Sequence, residues 1–262
     1  MLNSFFNNKN VVFVGPSPHL IGKKLGKFID SFDTVVRVNE LGVISEMEED
    51  YGSRTDVAFL TLTNESLERY IKMKEEIDTS TLKLIIHPRD EYNLNPFKPV
   101  SRSKNISNYF KQLNLDTDFH HIRTPTFKER CMVFGCFPST GSLAILEVLN
   151  YEFNKLYICG FSFYTTKYRY SPKGMEYYRI PKQNQHKHNL RKSGHDTRTE
   201  IKVLKSLIKE KGNVSGDNFF KRIVLDKSYI YYETRRLIIY KINFDYIKNV
   251  LRKTINRFKI FL

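Results

Sequence analysis

The run Val11-Val12-Phe13-Val14, cut off by Gly15-Pro16-Ser17-Pro18, limits what this chain can become. Its apolar residues do not alternate with polar ones, so it reads as a strand buried on both faces, as in a parallel sheet. The prolines that follow can neither continue a strand nor sit inside a helix. A second β-branched run, Thr34 to Asn39, also ends in a polar residue. In an open α/β sheet, ligands bind beyond the carboxyl ends of the strands. A small-molecule site is therefore expected there, lined by Ser17 and Asn39.

The rest of the chain repeats the alternation of strand and helix. Val57 to Leu62, Leu82 to His87 and Leu156 to Phe161 read as strands. Glu65 to Ile77, Asn105 to Leu113, Ser142 to Asn150 and Thr197 to Lys211 read as helices, the last ended by Gly212. His19 to Ile29, with Gly22 and Gly26, reads as irregular. The expected fold is an α/β domain over residues 1–215 with a central, mostly parallel sheet flanked by helices. Ser139 or Thr140 is a plausible N-cap after Pro138. A helix opening on Ser139-Thr140-Gly141 offers amide donors and positive dipole to a phosphate or ribose.

Two stretches depart from this rhythm. Residues 164–194 are long, polar, Tyr-rich and basic, which reads as an active-site lid or a disordered segment. Beyond 215 lies a C-terminal extension. From Arg235 to Leu262 it carries eight Lys and Arg against one acid, Asp245, with apolar residues at helical spacing. That is the pattern of a basic amphipathic helix that binds an anionic bilayer surface; the plainer reading is a helix docked on the core with snorkelling lysines.

Charge and cysteine content narrow the function. A net charge of +15 favours an anionic partner, although part of it belongs to a solvated, Lys-rich surface. The three cysteines, Cys131, Cys136 and Cys159, have no regular spacing, which excludes a disulfide framework and a zinc site. A reducing compartment fits best. No secretory signal opens the chain and no apolar run is long enough to span a bilayer. No nucleic-acid recognition module is visible.

Three blocks resemble one known family. Leu25 to Asp30, Arg37-Val38-Asn39 and Asp50 to Thr55 resemble the large sialylmotif of the animal-type sialyltransferases, glycosyltransferase family 29. Pro138-Ser139-Thr140-Gly141 through Cys159-Gly160-Phe161 is similar to their small sialylmotif. His195 with Glu200 five positions on is similar to their short His-x-x-x-x-Glu motif. Their order and spacing agree over roughly residues 11–210. The resemblance implies a GT-A-like fold of the variant type, a CMP-sugar donor, no metal and no other cofactor, and inversion at the anomeric carbon. It implies His195 as general base, with Glu200 orienting the segment or sitting in the first helical turn. Ser17, Asn39, Ser139, Thr140 and Gly141 become the nucleotide-binding candidates. His186, His188, Tyr177 and Tyr178 become the candidates for stabilising the departing phosphate. Arg37 and Arg54 are expected as partners of the acidic segment Glu46 to Asp50.

The sequence also departs from the family. Pro16 stands where Asn or a small residue is usual, and is not expected to bind. No cysteine lies between Val11 and Asp56, so the disulfide joining the two animal motifs cannot form, and Phe153 stands about where its partner would be. These departures, and the absence of the N-terminal anchor, suit a bacterial relative, cytoplasmic and peripheral on the inner face of the cell membrane through 235–262. The expected activity is transfer of sialic acid from CMP-sialic acid to a bacterial surface glycan or glycolipid, with no nucleic-acid partner. CMP-Kdo is an alternative donor, and a non-catalytic basic membrane- or nucleic-acid-binding protein the alternative class.

Overall fold

A computed structural model describes residues 2–88, 91–92, 104–163 and 195–225. The expected lid at 164–194, with Tyr177, Tyr178, His186 and His188, lies outside the described residues, as does the basic tail at 235–262.

The valine-rich runs become a parallel sheet. Its strands are β1 (Asn10–Val14), β2 (Thr34–Val38), β3 (Val57–Phe59), β4 (Leu84–His87), β7 (Asp118–His121), β8 (Lys155–Cys159) and β9 (Val214–Gly216). A separate antiparallel pair joins β5 (Glu91–Tyr92) to β6 (Lys104–Asn105). The order in the seven-stranded sheet is β7-β4-β3-β2-β1-β8-β9, and every neighbouring pair is parallel. β1 sits centrally, with Val12 opposite Val35 of β2 on one side and Tyr157 of β8 on the other. The chain builds outward from β1 in one direction as far as β7, then crosses back to place β8 on the other flank. The reversal falls between β1 and β8, which is where such a sheet opens a crevice.

Side-chain alternation sorts the core into two layers. Val11, Phe13, Val36, Val38, Leu156 and Ile158 pack with α6 (Thr124–Phe134), α7 (Thr140–Val148) and α8 (Thr197–Lys211). On the opposite face Val12, Val14 and Val35 pack against Leu20, Ile29 and Tyr51. Ala58 and Ile85 pack there against Tyr70 of α4 (Asn64–Met73) and Tyr109 of α5 (Ile106–Leu113). Both faces of the central strands are buried, as their continuous apolar runs require.

Strand and helix ends are closed by short polar side chains. Thr63 and Ser66 form a reciprocal capping box at α4. Asp196 caps α8 by accepting from the amides of Arg198 and Thr199, and Gly212 ends it in the left-handed region. The folded body runs on past residue 215: Gly216 completes β9, and Phe220, Ile223 and Val224 are buried in the main core.

Candidate functional site

The carboxyl ends of β1, β2 and β8 meet the start of α7 around an open cleft of about 500 Å³. Ser17, Asn39, Ser139 and Gly141, all expected from the sequence, line it together. Pro16, which was not expected to take part, also lines it, with Gly160, Ser162 and Ser142. Among the described residues, every side chain lining this cleft is uncharged. An anionic ligand would be met by amides, those of the first turn of α7 among them.

The floor of the cleft is bare backbone. The amide of Gly15 donates to the Cys159 carbonyl at 2.8 Å, and that of Ser17 to the Gly160 carbonyl at 2.9 Å. A Cβ on either Gly15 or Gly160 would stand 2.3 Å from the other residue's carbonyl oxygen, and Gly160 has φ +73°. Only glycine allows that approach.

The large-motif residues hold this floor from below. The Tyr51 hydroxyl donates to the Ser17 carbonyl at 2.8 Å. Asp50 accepts from the amides of Gly22 and Lys24. The expected pairing of Arg37 and Arg54 with the acidic segment is not what forms. Arg37, fully buried, donates through Nη2 to the carbonyls of Tyr51, Gly52 and Arg54 and through Nε to Thr55. Burial pushes its guanidinium down to about 10. Arg54 reaches the carbonyls of Asp30 and Phe32 and pairs with Asp56 at 2.8 Å. Carbonyl oxygens at strand and helix ends lie nearer to these guanidinium forks than the carboxylates of Glu46 to Asp50, and each would otherwise be left buried without a donor.

Asn39 sits at φ +58°, a conformation Asn tolerates better than most residues. Its Oδ1 accepts from the Thr61 amide at 3.3 Å, and its carbonyl from Arg69 at 2.8 Å. The Thr140 hydroxyl is 2.5 Å from that of Thr61, so it ties α7 to the loop after β3.

The downstream motif docks against the start of α7 at two points. His195 Nδ1 lies 2.6 Å from the Phe137 carbonyl oxygen, and its ring packs on that of Phe137. A carbonyl only accepts, so Nδ1 carries the proton and the neutral ring keeps its lone pair on Nε2. Glu200, 1% exposed, accepts from Ser139 Oγ at 2.6 Å and Ser142 Oγ at 2.5 Å through Oε2. Its Oε1 is buried with no hydrogen-bond partner. Burial lifts its carboxyl to about 7, against the lowering effect of the two serines. The structure thus places His195 beside the residues that open α7 and Glu200 beneath them, while Ser139 and Gly141 of the same turn line the cleft.

The sequence reading passed over three residues here. Gly160 carried the ordinary signal of a glycine ending a strand, and Ser142 lay within a Ser-Thr-Gly-Ser opening. Nothing in the local sequence of Asp217 marks it, yet it reaches the end of β8 through the Gly160 amide at 2.9 Å.

None of the three cysteines is in a disulfide, and Cys131 and Cys159 are buried. Among the described residues no helix is long and apolar enough to cross a membrane. No curated protein matches the chain. A mammalian sialyltransferase solved in complex with Gal-beta-1-3GalNAc-ortho-nitrophenol is 16% identical, with 80% of this chain and 69% of that one covered, at TM-score 0.45. The sialyltransferase CstII from Campylobacter jejuni, solved in complex with a substrate analogue, cytidine-5′-monophosphate, is 16% identical over 92% of this chain and 98% of that one, at TM-score 0.47. The model of glycosyltransferase family 29 (sialyltransferase) matches residues 7–212. That span holds the strand ends around the cleft, the opening of α7 and the segment from His195 to Glu200, and the chain belongs to this family of sialyltransferase-type glycosyltransferases.

Proposed function

We propose that the chain moves sialic acid from CMP-sialic acid to a hydroxyl of a bacterial surface glycan, with inversion and without a metal. The observation that carries the reading is the double docking of the His195 segment onto the turn that lines the cleft. His195 and the nucleotide cleft are held by the same few residues, Phe137 to Ser142.

In this reading Nε2 of His195 takes the proton of the acceptor hydroxyl as its oxygen attacks the anomeric carbon. The bond to CMP breaks with its electrons on the phosphate. The charge that grows there is met by the amides of the Ser139 turn and by donors from His186, His188, Tyr177 and Tyr178, while Ser17 and Asn39 hold the nucleotide. Glu200 positions the turn from beneath and does not touch the reacting atoms. The basic residues of 235–262 place the enzyme on the inner face of the cell membrane, near a glycolipid acceptor such as lipooligosaccharide. No nucleic acid is a partner.

Release of CMP from CMP-sialic acid and from CMP-Kdo, each with a lipooligosaccharide acceptor, tests the reading. Turnover of CMP-sialic acid is the expected result. Turnover of CMP-Kdo alone would reassign the sugar, and no turnover of either would end the proposal.

A further inference from the structure

Ser17, His19 and Asp217 form a continuous hydrogen-bonded chain under the cleft. Ser17 Oγ is 2.9 Å from His19 Nδ1, and His19 Nε2 is 3.0 Å from Asp217 Oδ2. Asp217 also accepts from the Gly160 amide through Oδ2 and from the Phe220 amide at 2.7 Å through Oδ1. The His19 ring lies stacked on Phe219, centroids 4.5 Å apart and planes within 16°. The three residues follow β1 and β9, and Gly160 follows β8, so the chain runs along three adjacent strand ends. Asp217 lies beyond the span matched by the family model.

The direction of the hydrogen bonds follows from the chemistry. Burial works to raise the Asp217 carboxyl, but the His19 ring and the amides of Phe220 and Gly160 outweigh it and hold the group below its ordinary range. An ionised carboxylate only accepts, so His19 Nε2 carries the proton. A neutral ring then accepts at Nδ1 and takes the only proton of the Ser17 hydroxyl, whereas a doubly protonated ring would donate to Ser17 Oγ there. We propose that His19 and Asp217 are positioning residues that hold Ser17 Oγ as a pure acceptor, so that its lone pairs meet an O–H or N–H donor of the bound nucleotide. The cytidine moiety offers such donors as the ribose hydroxyls and the 4-amino group of the base. This rests on the reading of the cleft as a CMP site.

Calorimetric titration with CMP, 2′-deoxy-CMP, 3′-deoxy-CMP and UMP tests it, with His19→Phe and Ser17→Ala as variants. His19→Phe keeps an aromatic ring on Phe219 while removing both hydrogen bonds. It should weaken CMP binding about tenfold. Wild type should lose a similar factor on the one analogue that lacks the recognised donor, and His19→Phe should lose nothing further on that analogue. Ser17→Ala should bind CMP as weakly as His19→Phe, and the double variant no more weakly than either. Wild-type affinity for CMP in His19→Phe would overturn the relay while leaving the cleft assignment intact. Losses that multiply for every analogue would also overturn it, since they would mean general damage. No CMP binding by wild type would remove both the relay and the reading beneath it.

Discussion

Ser139 and Glu200, 61 positions apart, share a hydrogen bond of 2.6 Å that fastens the start of α7 to the start of α8. The carboxyl is buried and lifted to about 7, and so is that of Glu40, which stands 3.8 Å from Arg69. Each group binds a proton more readily in the folded chain than in the unfolded one between its ordinary value of 4.5 and about 7. Folding stability therefore falls as pH rises through that window and levels off above it. Glu200→Gln keeps an acceptor for the serines and removes the titration. It should flatten the fall between pH 5 and 8 by an amount on the order of 2–3 kcal/mol, read from urea unfolding at each pH. An unchanged slope would mean that Glu200 does not titrate there.

His195→Ala removes the group proposed as base but leaves the cleft lining in place. Transfer should drop by roughly 10²- to 10⁴-fold while CMP affinity stays near that of wild type. Single-turnover kinetics beside calorimetry separates the two. Equal turnover would take His195 out of the mechanism.

Gly160→Ala should destabilise the fold by about 3 kcal/mol or more, because the new Cβ meets backbone rather than a side chain that can move. Thermal unfolding would register it. A near-neutral outcome would mean that β1 and β8 can part at the floor of the cleft without cost.

Arg37→Lys keeps the charge but offers a single ammonium to carbonyls that now share a guanidinium fork. At least one buried acceptor is left unpaired, at a cost of about 2–4 kcal/mol in denaturant unfolding.

A chain truncated before Arg235 should leave the membrane fraction, since each basic residue near an anionic surface is worth about 1 kcal/mol. Flotation with vesicles containing anionic lipid would measure this. Unchanged partitioning would refute the tail as an anchor.

The strands were readable where the chain spells them in valine and isoleucine. Thr34 to Val38 is a strand at the residues expected, and Thr197 to Lys211 a helix at the residues expected. β7 escaped notice because its sequence, Asp-Phe-His-His, is that of a half-exposed edge, where no buried face imposes a pattern. α6 escaped because its apolar residues, from Phe127 to Phe134, do not gather on one stripe. β9 is three residues long and ends in glycine.

At the site, the lining hydroxyls and glycines were legible because strand ends and helix starts announce themselves. The supports were not. That Arg37 would serve backbone carbonyls rather than nearby acids depends on how three loops close around it. That Asp217 would reach His19, 198 positions away, depends on the position of β9 in the sheet. Long-range partners of this kind leave no mark on either local sequence.

The central place of β1 has a price in time. Cys159 of β8 reaches the Phe13 carbonyl across 146 positions of chain. At roughly 5–20 residues made per second, Val11 to Val14 wait about 7–30 seconds after synthesis before that neighbour exists. For that interval a valine-rich edge stands open to any other strand in reach. A nascent chain of this design depends on whatever shields its first strand, and the cleft, which needs both strand ends, is among the last parts of the molecule to come into being.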